Sequence, residues 1–282
     1  MVEDQACIAF LKWCLPELGL RWPGYRKVRR LIGKRLNRRL FELGLPDLDA
    51  YRALLLREPD ERTQLDAMCR IPISRFYRDR RVFDVIGRRL LPEAADAAIS
   101  RGDNAVHCWS AGCASGEEPY TLALLWRFVV AADLPELGFT VVATDIDEMM
   151  LRRAEAACYA RSSLKDLPPE WTERAFAHSG ALLCLLPEFR REVRFVRQDI
   201  RSSMPDGPFD LILCRNLVFT YFDNALQGRL MNKMTERLAP RGFLVLGAHE
   251  TLPTKDTGLT AILDGLPIYR KPLEDPGKLK DR

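Results

Sequence analysis

The sequence lacks the features that mark membrane-embedded, secreted and metal-binding proteins. Its best candidate for an apolar span, residues 122–132, contains Arg127 and is shorter than the about 18 residues that a membrane helix needs. The first residues include Glu3 and Asp4 and no basic region before an apolar stretch, so we expect no secretory signal. Only three histidines are present, and no two cysteines are spaced as Cys-x-x-Cys, so we expect no metal site.

The eight cysteines are scattered along the chain, and several lie in apolar runs. Cysteines in a paired pattern are typical of small secreted domains, whereas isolated cysteines in apolar runs are typical of proteins from reducing compartments. We therefore expect reduced, buried thiols and a cytoplasmic protein. The chain also contains no internal repeat, which excludes a repeat architecture.

The composition is that of an ordinary globular protein. Of the 282 residues, 47% are hydrophobic and 29% are charged, which excludes global disorder and a disulfide-rich miniprotein. The length allows one large domain, or a large domain with a small companion. The formal net charge of +4, from 43 basic and 39 acidic residues, is too small to indicate nucleic-acid binding, but the charges are unevenly distributed.

The N-terminal part of the chain combines helical periodicity with an excess of basic residues. Between Tyr25 and Phe41 apolar residues recur at helical spacing, and no acidic residue occurs between Arg21 and Arg39. Gly44 is expected to end this helix. The other faces of the helix are basic, with Arg26, Lys27, Arg29, Arg30, Lys34, Arg35, Arg38 and Arg39.

Two more predicted helices, around residues 49–57 and 59–69, complete a helical domain with one basic face. We place this domain at residues 1–78. A connecting helix is predicted over residues 76–91, and Pro92 is expected to end it. We place a linker helix at residues 79–100, between this domain and the domain that begins at residue 101.

Residues 101–272 alternate between short apolar runs and helical patterns. The apolar runs begin near residues 105, 139, 193, 209 and 243. Helices are expected between them, around residues 118–132, 148–157 and 225–238. This alternation predicts an α/β domain with a mostly parallel sheet. Residues 273–282 are charged and are expected to form a flexible tail.

The loop after the first strand, residues 110–118, is rich in small residues and ends in Glu117 and Glu118. Glycines in such a loop let the backbone approach a ligand. The spacing fits neither the dinucleotide pattern Gly-x-Gly-x-x-Gly nor a phosphate-binding loop. Two adjacent carboxylates suit an ammonium group better than a pyrophosphate. A tight turn without any ligand is the alternative.

Asp145 ends the second strand, where an acidic residue can accept hydrogen bonds from both hydroxyls of a ribose. The alternative is that Asp145 caps the following helix, a role for which Asp147 is better placed. A nucleoside that carries an amino-acid end and no phosphate is S-adenosylmethionine. These features therefore favour that cofactor over a nicotinamide dinucleotide.

Five separated motifs resemble, in the same order, those of the CheR-type chemotaxis receptor methyltransferases. They are IPISRFYRD at residues 71–79, WSAGCASGEEPYT at 109–121, ATDID at 143–147, FDLILCRN at 209–216 and YFD at 221–223. The resemblance extends to about residue 271. It implies a Rossmann-like class I methyltransferase domain with a mostly parallel sheet, a small N-terminal all-helical domain and a small β-subdomain inserted at about residues 176–198.

The resemblance implies a protein-glutamate O-methyltransferase. Such an enzyme moves a methyl group from S-adenosylmethionine to glutamate side chains of a methyl-accepting chemotaxis receptor, giving methyl esters and S-adenosylhomocysteine. The reaction-centre pair of the family corresponds to Arg78 and Tyr221. Its cofactor-contacting positions correspond to Ser74, Arg78, Glu118, Asp145, Asp199, Ile200, Cys214 and Arg215.

The sequence departs from the family pattern at a few of these positions. Ser74 replaces the usual threonine and keeps the hydroxyl, while Pro72 stands where a polar cofactor contact is common. Asp199 stands where asparagine is frequent, and its carboxylate can still accept a hydrogen bond from the adenine amino group. One extra residue lies between Asn216 and Tyr221, so Tyr221 is aligned through the Phe-Asp pair that follows it.

Methyl transfer to a carboxylate requires no catalytic base, because free glutamate is ionised above its pKa of about 4.3. The site must align the two reactants and exclude water. We expect Arg78 to hold the substrate carboxylate, and Tyr221 to donate to it or to pack beside the sulfonium. The alternatives are a surface arginine and a core aromatic residue. Glu118 is expected to meet the cofactor's ammonium group, and it also suits a helix N-terminus.

The basic helix, residues 26–39, has three interpretations: docking onto acidic receptor helices, a solvated face, or RNA binding. Sparse aromatic residues make RNA binding the weakest of them. We expect a monomer that binds no nucleic acid and does not insert into membranes. Because residues 176–199 lack an obvious Gly-x-Gly hairpin, we also expect methylation not to depend on a C-terminal tether of the receptor.

Two other functions compete with receptor methylation. A methyltransferase of the same fold could act on another protein or on a small carboxylate outside chemotaxis, which the neighbouring genes would discriminate. A non-catalytic signalling module that only binds the cofactor is the third hypothesis. Retention of Arg78, Tyr221 and the Glu117-Glu118 pair argues against that module.

Overall fold

The computed structural model describes residues 3–254 and 257–273, so residues 274–282 of the predicted tail lie outside the described residues. The chain divides into two compact units. The first unit comprises Met1–Ile71 and Thr220–Gln227, and the second comprises Pro72–Phe219 and Gly228–Arg282. The first unit is therefore built from two stretches that are far apart in the sequence.

The N-terminal stretch of the first unit is helical, as predicted. Its helices are α1 (Asp4–Glu17), α2 (Trp22–Tyr25), α3 (Arg29–Leu43), α4 (Leu48–Arg57) and α5 (Pro59–Met68). The apolar periodicity of α3 places Ile32, Leu36 and Leu40 in the interior. Gly44 ends α3 in the left-handed conformation, and the Asp47 carboxylate caps α4 by accepting from a backbone N–H group.

Three arginines of α3 are engaged inside the first unit. Arg39 pairs with the buried carboxylate of Glu61 at 2.6 Å, and the hydroxyl of Tyr51 donates to the same carboxylate at 2.7 Å. Arg35 donates to two backbone carbonyl groups at and after the end of α5, and Arg29 pairs with an acidic residue of α1. The basic residues of the predicted helix that are exposed are Arg26, Lys27, Arg30, Lys34 and Arg38.

The second unit contains the strands and most of the remaining helices. The strands are β1 (Ala105–Ala111), β2 (Gly138–Asp145), β3 (Cys158–Ala160), β4 (Phe176–Ser179), β5 (Leu182–Leu185), β6 (Val193–Arg197), β7 (Phe209–Cys214), β8 (Leu238–Leu246), β9 (Thr260–Ala261) and β10 (Ile268–Arg270). The helices are α6 (Arg80–Val85), α7 (Leu91–Arg101), α8 (Glu117–Leu125), α9 (Glu148–Ala156), α10 (Pro169–Ala175), α11 (Val218–Tyr221) and α12 (Asn224–Glu236). The last two helices include residues of the first unit.

Seven of these strands form one sheet in the order β6-β2-β1-β7-β8-β10-β9. The five strands from β6 to β8 are parallel, whereas β10 is antiparallel to both of its neighbours. The central strands β1 and β7 are buried along nearly their whole length, which explains their mainly apolar sequences. The predicted α/β fold with a mostly parallel sheet is thereby confirmed.

The helix that leads into the sheet does not end at Pro92, so that prediction is wrong. Residues 80–101 are helical throughout, because a π-helical turn (Ile86–Leu90) joins α6 to α7. The wider turn shifts the hydrogen-bond register, so that Pro92 falls in the first turn of α7, where its missing N–H group is tolerated. A second π-helical turn (Trp126–Val130) extends α8.

The strands β3, β4 and β5 form a separate antiparallel sheet in the order β3-β5-β4. This small sheet begins before the predicted insert of residues 176–198, because β3 lies ahead of it in the sequence. The strand β6 falls within the predicted insert but pairs with β2 in the main sheet. Gly180, with a φ of +59°, turns the chain between β4 and β5.

Two cysteines of the small sheet contradict the expectation that all thiols are reduced. Cys158 and Cys184 lie opposite each other on β3 and β5 and form a disulfide. The other six cysteines are free and buried, as expected. The two partners are 26 residues apart and carry no spacing signal, so only the antiparallel register brings them together.

Two classes of feature are missing from the part of the chain that the structure describes. None of its helices combines the length and the hydropathy that crossing a bilayer requires. The same residues contain no group of three or more His, Cys, Asp or Glu side chains placed to hold a metal ion.

The buried carboxylate of Glu61 should make the first unit sensitive to acid. The hydrogen bond from Arg39 lowers the pKa of Glu61 below its ordinary value of 4.5. A carboxyl group with a lowered pKa stabilises the fold above its unfolded-state pKa, and this contribution is lost as the pH falls through the folded-state value. We expect Glu61→Gln to reduce the free energy of unfolding at pH 7 by about 1–3 kcal/mol and to flatten its decline below about pH 4.5, measured by urea denaturation.

Glu42→Gln is the matched control. Its side chain is 46% exposed and pairs with Arg38 and Arg39 at the surface. Exposed ion pairs contribute little, so we expect a change below about 0.5 kcal/mol. Equal losses in the two variants would show that burial of Glu61 has no special effect on stability.

Candidate active site

The carboxyl ends of β2, β1 and β7 lie side by side in the main sheet. The strand β1 is parallel to both neighbours, with Ala111 opposite Thr144 and Ser110 opposite Leu213. The direction of the strand order reverses between β1 and β7, and ligands of open α/β sheets bind outside this edge. The topology therefore brings together the loops in which most of the predicted cofactor contacts lie.

The loop after β1 is attached to the end of β2. The backbone N–H groups of Gly112 and Cys113 donate to the carbonyl oxygen of Thr144 at 2.8 and 3.0 Å. Gly116 has a φ of +89°, and a Cβ atom placed on it would lie 2.8 Å from the Cβ atom of Ala154 in α9. Glycine is therefore required at position 116 for both its backbone angle and its packing.

Asp145 directs its carboxylate toward this loop. Its Oδ2 accepts from the backbone N–H of Ala114 at 2.8 Å, and its Oδ1 accepts from that of Asp147 at 2.9 Å. Asp147 itself caps α9 by accepting from the N–H groups of Met149 and Met150, as predicted, so the capping alternative for Asp145 is wrong. A carboxylate at the carboxyl end of this strand is placed to accept hydrogen bonds from ribose hydroxyls, as the sequence predicts.

Glu118 lies in the first turn of α8 between a hydroxyl and a guanidinium. Its Oε1 accepts from the hydroxyl of Ser110 at 2.8 Å, and its Oε2 pairs with Nη1 of Arg215 at 3.0 Å. The side chain of Glu118 is only 13% exposed. Its carboxylate is therefore oriented by the protein, and its place at the helix N-terminus is electrostatically favourable as well.

Arg215 follows β7 and is a buried cation with two carboxylate partners. Its side chain is 2% exposed, and besides Glu118 it pairs with Oδ2 of Asp79 at 2.7 Å. Its Nη2 also donates to the backbone carbonyl of Arg78 at 2.8 Å, and the guanidinium lies 4.8 Å from the ring centre of Phe83. Arg215 thereby joins the loop that carries Arg78 to the start of α8.

Arg78 is half-buried, and the protein holds both ends of its guanidinium. Its Nη1 donates to the carbonyl oxygen of Ile73 at 2.8 Å, and its Nη2 donates to Oδ1 of Asn216 at 3.2 Å. The flanking residues Tyr77 and Asp79 have φ angles of +55° and +63°, which side-chain-bearing residues rarely adopt. Such a loop persists only where its surroundings determine it, which argues against Arg78 as an ordinary surface arginine.

Asn216 is a polar residue of this edge to which the sequence analysis assigns no role. Its φ is +56°, in the left-handed region that asparagine adopts more readily than most residues. Besides accepting from Arg78, it donates its backbone N–H to Oε2 of Glu250 at 2.8 Å. The motif FDLILCRN contains a signal for Asn216, because the asparagine is the second residue after the end of β7. No sequence signal indicates Glu250.

Three other predicted cofactor contacts are uncharged. Ser74 is half-buried in the irregular segment ahead of Phe76. Cys214 is the last residue of β7, and burial raises the pKa of its thiol, so the side chain is neutral. Ile200 is buried shortly after β6. These residues can line a cofactor site without adding charge to it.

Asp199 follows β6 and has an arginine partner that the sequence analysis did not anticipate. Its Oδ1 and Oδ2 pair with Nε and Nη2 of Arg201 at 3.0 and 2.9 Å. The backbone N–H of the preceding residue, Gln198, donates to the carbonyl oxygen of Asp145 at 2.9 Å, which keeps this loop beside the end of β2. The contact between Asp199 and an adenine amino group stays a prediction.

Tyr221 belongs to the first unit, whereas Arg78 belongs to the second. The ring centre of Tyr221 lies 5.1 Å from that of Tyr25, and its backbone carbonyl accepts from the N–H of Arg21 at 2.8 Å. Tyr221 is half-buried, so it is not a fully buried core aromatic residue. The part of Tyr221 in the reaction stays a prediction.

The donor and acceptor groups of this edge fit S-adenosylmethionine. Three carboxylates, those of Glu118, Asp145 and Asp199, follow the neighbouring strands β1, β2 and β6. Such acceptors satisfy an ammonium group, two ribose hydroxyls and an adenine amino group, whereas they would repel a pyrophosphate.

Comparison with known proteins yields a family match over most of the second unit. A family model described as "CheR methyltransferase, SAM binding domain" matches residues 73–264 of this chain. The matched residues include nearly all of the candidate site, from Ser74 to Tyr221.

Individual relatives extend this similarity. The "Uncharacterized 104.1 kDa protein in hypE 3'region" of Rhodobacter capsulatus is 34% identical over 224 residues, which cover 78% of this chain but only 23% of that protein. The chemotaxis protein methyltransferase of Listeria innocua is 33% identical over 193 residues, 68% of this chain and 70% of the relative. Chemotaxis protein methyltransferase 1 of Pseudomonas aeruginosa is 31% identical over 229 residues, 79% and 82% of the two chains.

Gly116 offers a test of whether the loop after β1 holds the cofactor. Gly116→Ala places a Cβ atom against Ala154 and imposes a left-handed backbone on alanine. We expect the free energy of unfolding to fall by about 2–4 kcal/mol. We also expect the affinity for S-adenosylhomocysteine, measured by calorimetry, to fall about 10-fold or more, because the displaced backbone no longer fits the ligand.

Gly102→Ala is the matched control, since Gly102 has a φ of +80° at the end of α7 and no described atom within 4 Å of its Cβ position. Backbone strain alone should cost about 1 kcal/mol there and leave the affinity unchanged. If both variants lost affinity equally, the loop around Gly116 would not be a binding element.

Proposed function

This chain belongs to the CheR family of S-adenosylmethionine-dependent methyltransferases, and we propose that it methylates glutamate side chains of methyl-accepting chemotaxis receptors. The products would be glutamate methyl esters and S-adenosylhomocysteine. Two relatives that carry the name chemotaxis protein methyltransferase match more than two thirds of their own length. We place the enzyme in the cytoplasm, where the signalling domains of such receptors lie, and expect it to act as a monomer.

The observation that carries this proposal is the guanidinium of Arg78 at the carboxyl edge of the sheet. Its contacts with Ile73 and Asn216 use two of its five N–H groups. The others can donate to a carboxylate in the paired geometry that arginine provides. A fixed cation beside the predicted cofactor contacts suits a substrate whose reacting group is an anion.

The second unit supplies the residues that would hold the cofactor. We assign the ammonium group to Glu118, the ribose hydroxyls to Asp145 and the adenine amino group to Asp199. The remaining contacts are assigned to Ser74, Arg78, Ile200, Cys214 and Arg215. When bound, the cofactor supplies a methyl group on a sulfonium, which needs no further activation.

The chemistry required of the protein is alignment rather than proton transfer. A glutamate carboxylate is ionised at neutral pH and is already a nucleophile. Arg78 would orient this carboxylate. Tyr221 is proposed as the second catalytic residue, the role that the family resemblance implies. Neither residue exchanges a proton with the substrate, so the enzyme needs no base. Exclusion of water then favours attack by the aligned carboxylate.

We propose the exposed basic face of the first unit as the surface that meets the receptor. It comprises Arg26, Lys27, Arg30, Lys34 and Arg38, and it is joined by Phe41, which is 88% exposed. The arginines that point into the first unit do not contribute to it. A positive surface of this kind would accelerate encounter with the glutamate-rich methylation helices of a receptor.

Arg78→Ala and Arg78→Lys test the substrate-binding role. With labelled cofactor and receptor fragments from the same organism, the wild-type protein should incorporate base-labile methyl groups. Arg78→Ala should lower the rate about 100-fold or more. Arg78→Lys should rescue only part of it, because an ammonium group cannot bind a carboxylate through a planar fork.

Arg81→Ala is the control, since Arg81 is an exposed arginine three positions further along the chain. It should leave the rate unchanged. No base-labile incorporation into any chemoreceptor of the organism would overturn the proposed substrate. The proposed role of Arg78 would be contradicted by an Arg78→Ala variant with full activity.

A triple charge reversal, Lys27→Glu, Arg30→Glu and Lys34→Glu, tests the docking surface. We expect kcat/KM for the receptor to fall about 10-fold or more at low salt, and kcat to change little, because encounter rather than chemistry is affected. The salt dependence of kcat/KM should also weaken.

Reversal of the exposed basic residues Lys165, Arg191 and Lys233 is the control, because it changes the net charge by the same amount outside the basic face. This control should reduce kcat/KM far less. Similar losses in the two triple variants would indicate a response to net charge and contradict a defined docking surface.

A further inference from the structure

Glu250 is a buried carboxylate close to the candidate site to which the proposed chemistry assigns no role. The residue is only 5% exposed and lies in the loop after β8. Its Oε2 accepts two backbone hydrogen bonds, from Gly247 at 2.7 Å and from Asn216 at 2.8 Å. One side chain therefore joins two loops of the second unit.

These two loops leave the sheet next to each other. The strands β7 and β8 are parallel neighbours, and their last residues, Cys214 and Leu246, are register partners. The loops pack so closely that a Cβ atom on Gly247 would lie 2.8 Å from Oε2 of Glu250 and 3.0 Å from the side chain of Asn216. The turn is closed by the N–H of Glu250, which donates to the carbonyl oxygen of Gly247 at 2.8 Å.

Asn216 connects Glu250 to Arg78 through two hydrogen bonds. Its φ of +56° is a costly conformation that needs support from its surroundings, and the bond to Glu250 provides it. The Oδ1 of the same residue accepts from Nη2 of Arg78. The position of one end of the Arg78 guanidinium thus depends on where Glu250 holds the backbone of Asn216.

We infer that Glu250 is a positioning residue of the methyl-transfer site, acting on Arg78 through Asn216. The inference rests on the proposed function only for the role of Arg78. A glutamate is suited to this position because a single side-chain oxygen can accept hydrogen bonds from both N–H groups. The side chain is also long enough to reach both backbone groups from the next loop.

A double-mutant cycle on the affinity for S-adenosylhomocysteine tests this link without any receptor. Arg78→Ala should weaken binding about 10-fold, and Glu250→Ala should weaken it about 3-fold to 10-fold. If Glu250 acts through Arg78, the double variant should bind within about twofold of Arg78→Ala alone. Glu250→Gln should bind within about twofold of wild type, because its amide oxygen can still accept both N–H groups.

Asp210→Asn is the matched control, since Asp210 is another buried carboxylate on β7 but lies near the opposite end of that strand. It accepts from the N–H of His107 at 2.9 Å and pairs with Arg101. This variant should lose stability and keep its affinity. Should Glu250→Ala fail to fold, Glu250→Asp, whose side chain is too short to reach both loops, takes its place in the cycle.

The outcomes separate the positioning role from the proposed substrate. The inference is wrong if Glu250→Ala binds S-adenosylhomocysteine as tightly as wild type does. It is also wrong if the double variant loses affinity by the product of the two single losses. Either result would hold even if the wild-type protein methylates receptors. If the two substitutions are non-additive but the wild-type protein methylates no receptor, the positioning role of Glu250 is supported and the proposed receptor substrate is wrong. With active enzyme, Glu250→Ala should also lower kcat about 10-fold, and Glu250→Gln should restore most of it.

Discussion

The candidate site depends on one buried guanidinium, that of Arg215. It contacts Glu118 at the start of α8, Asp79 in the loop before α6 and the backbone carbonyl of Arg78. A buried cation without its partners is costly, by about 3–5 kcal/mol, so the contacts of Arg215 stabilise these three segments against separation. The conformation of the loop around Arg78, with its two left-handed residues, is set by this cluster rather than by local preference.

The same cluster explains how a site can be rich in charge and still accept charged ligands. Asp79 and Glu118 balance Arg215 and Arg78, so the four side chains together are neutral. The methionine part of the cofactor is zwitterionic, and in the proposed reaction its sulfonium would be balanced by the substrate carboxylate. Ligand binding therefore adds opposite charges in pairs, which limits the electrostatic cost of closing such a site to water.

The helices and strands of this chain could be predicted from the sequence more reliably than the contacts between them. The periodicity of α3, the apolar runs of β1 and β7 and the Asp147 cap follow from local chemistry, and the structure confirms them. The helix end predicted at Pro92 is wrong, because a π-helical turn has no clear sequence signature and changes where a proline can stand. The pairing of Cys158 with Cys184 and the contact of Glu250 with Asn216 depend on strand register, which single-sequence patterns do not encode. The periodicity of the basic helix does not show that Arg29, Arg35 and Arg39 are held inside the first unit. Their partners, such as the buried carboxylate of Glu61, lie on other helices or at their ends and cannot be identified from a single sequence.

The composition of the first unit has a consequence for synthesis of the chain on the ribosome. Residues 220–227 pack with residues 1–71, and Leu20 forms a β-bridge with Phe222. The N-terminal helices therefore emerge long before their last partner segment is made. The first unit cannot complete its packing until residue 227 has left the ribosome, whereas a domain built from one continuous segment can fold as soon as that segment emerges. Residues 72–219 of the second unit are translated before residues 220–227, so the first unit completes its packing only after most of the second unit has been made.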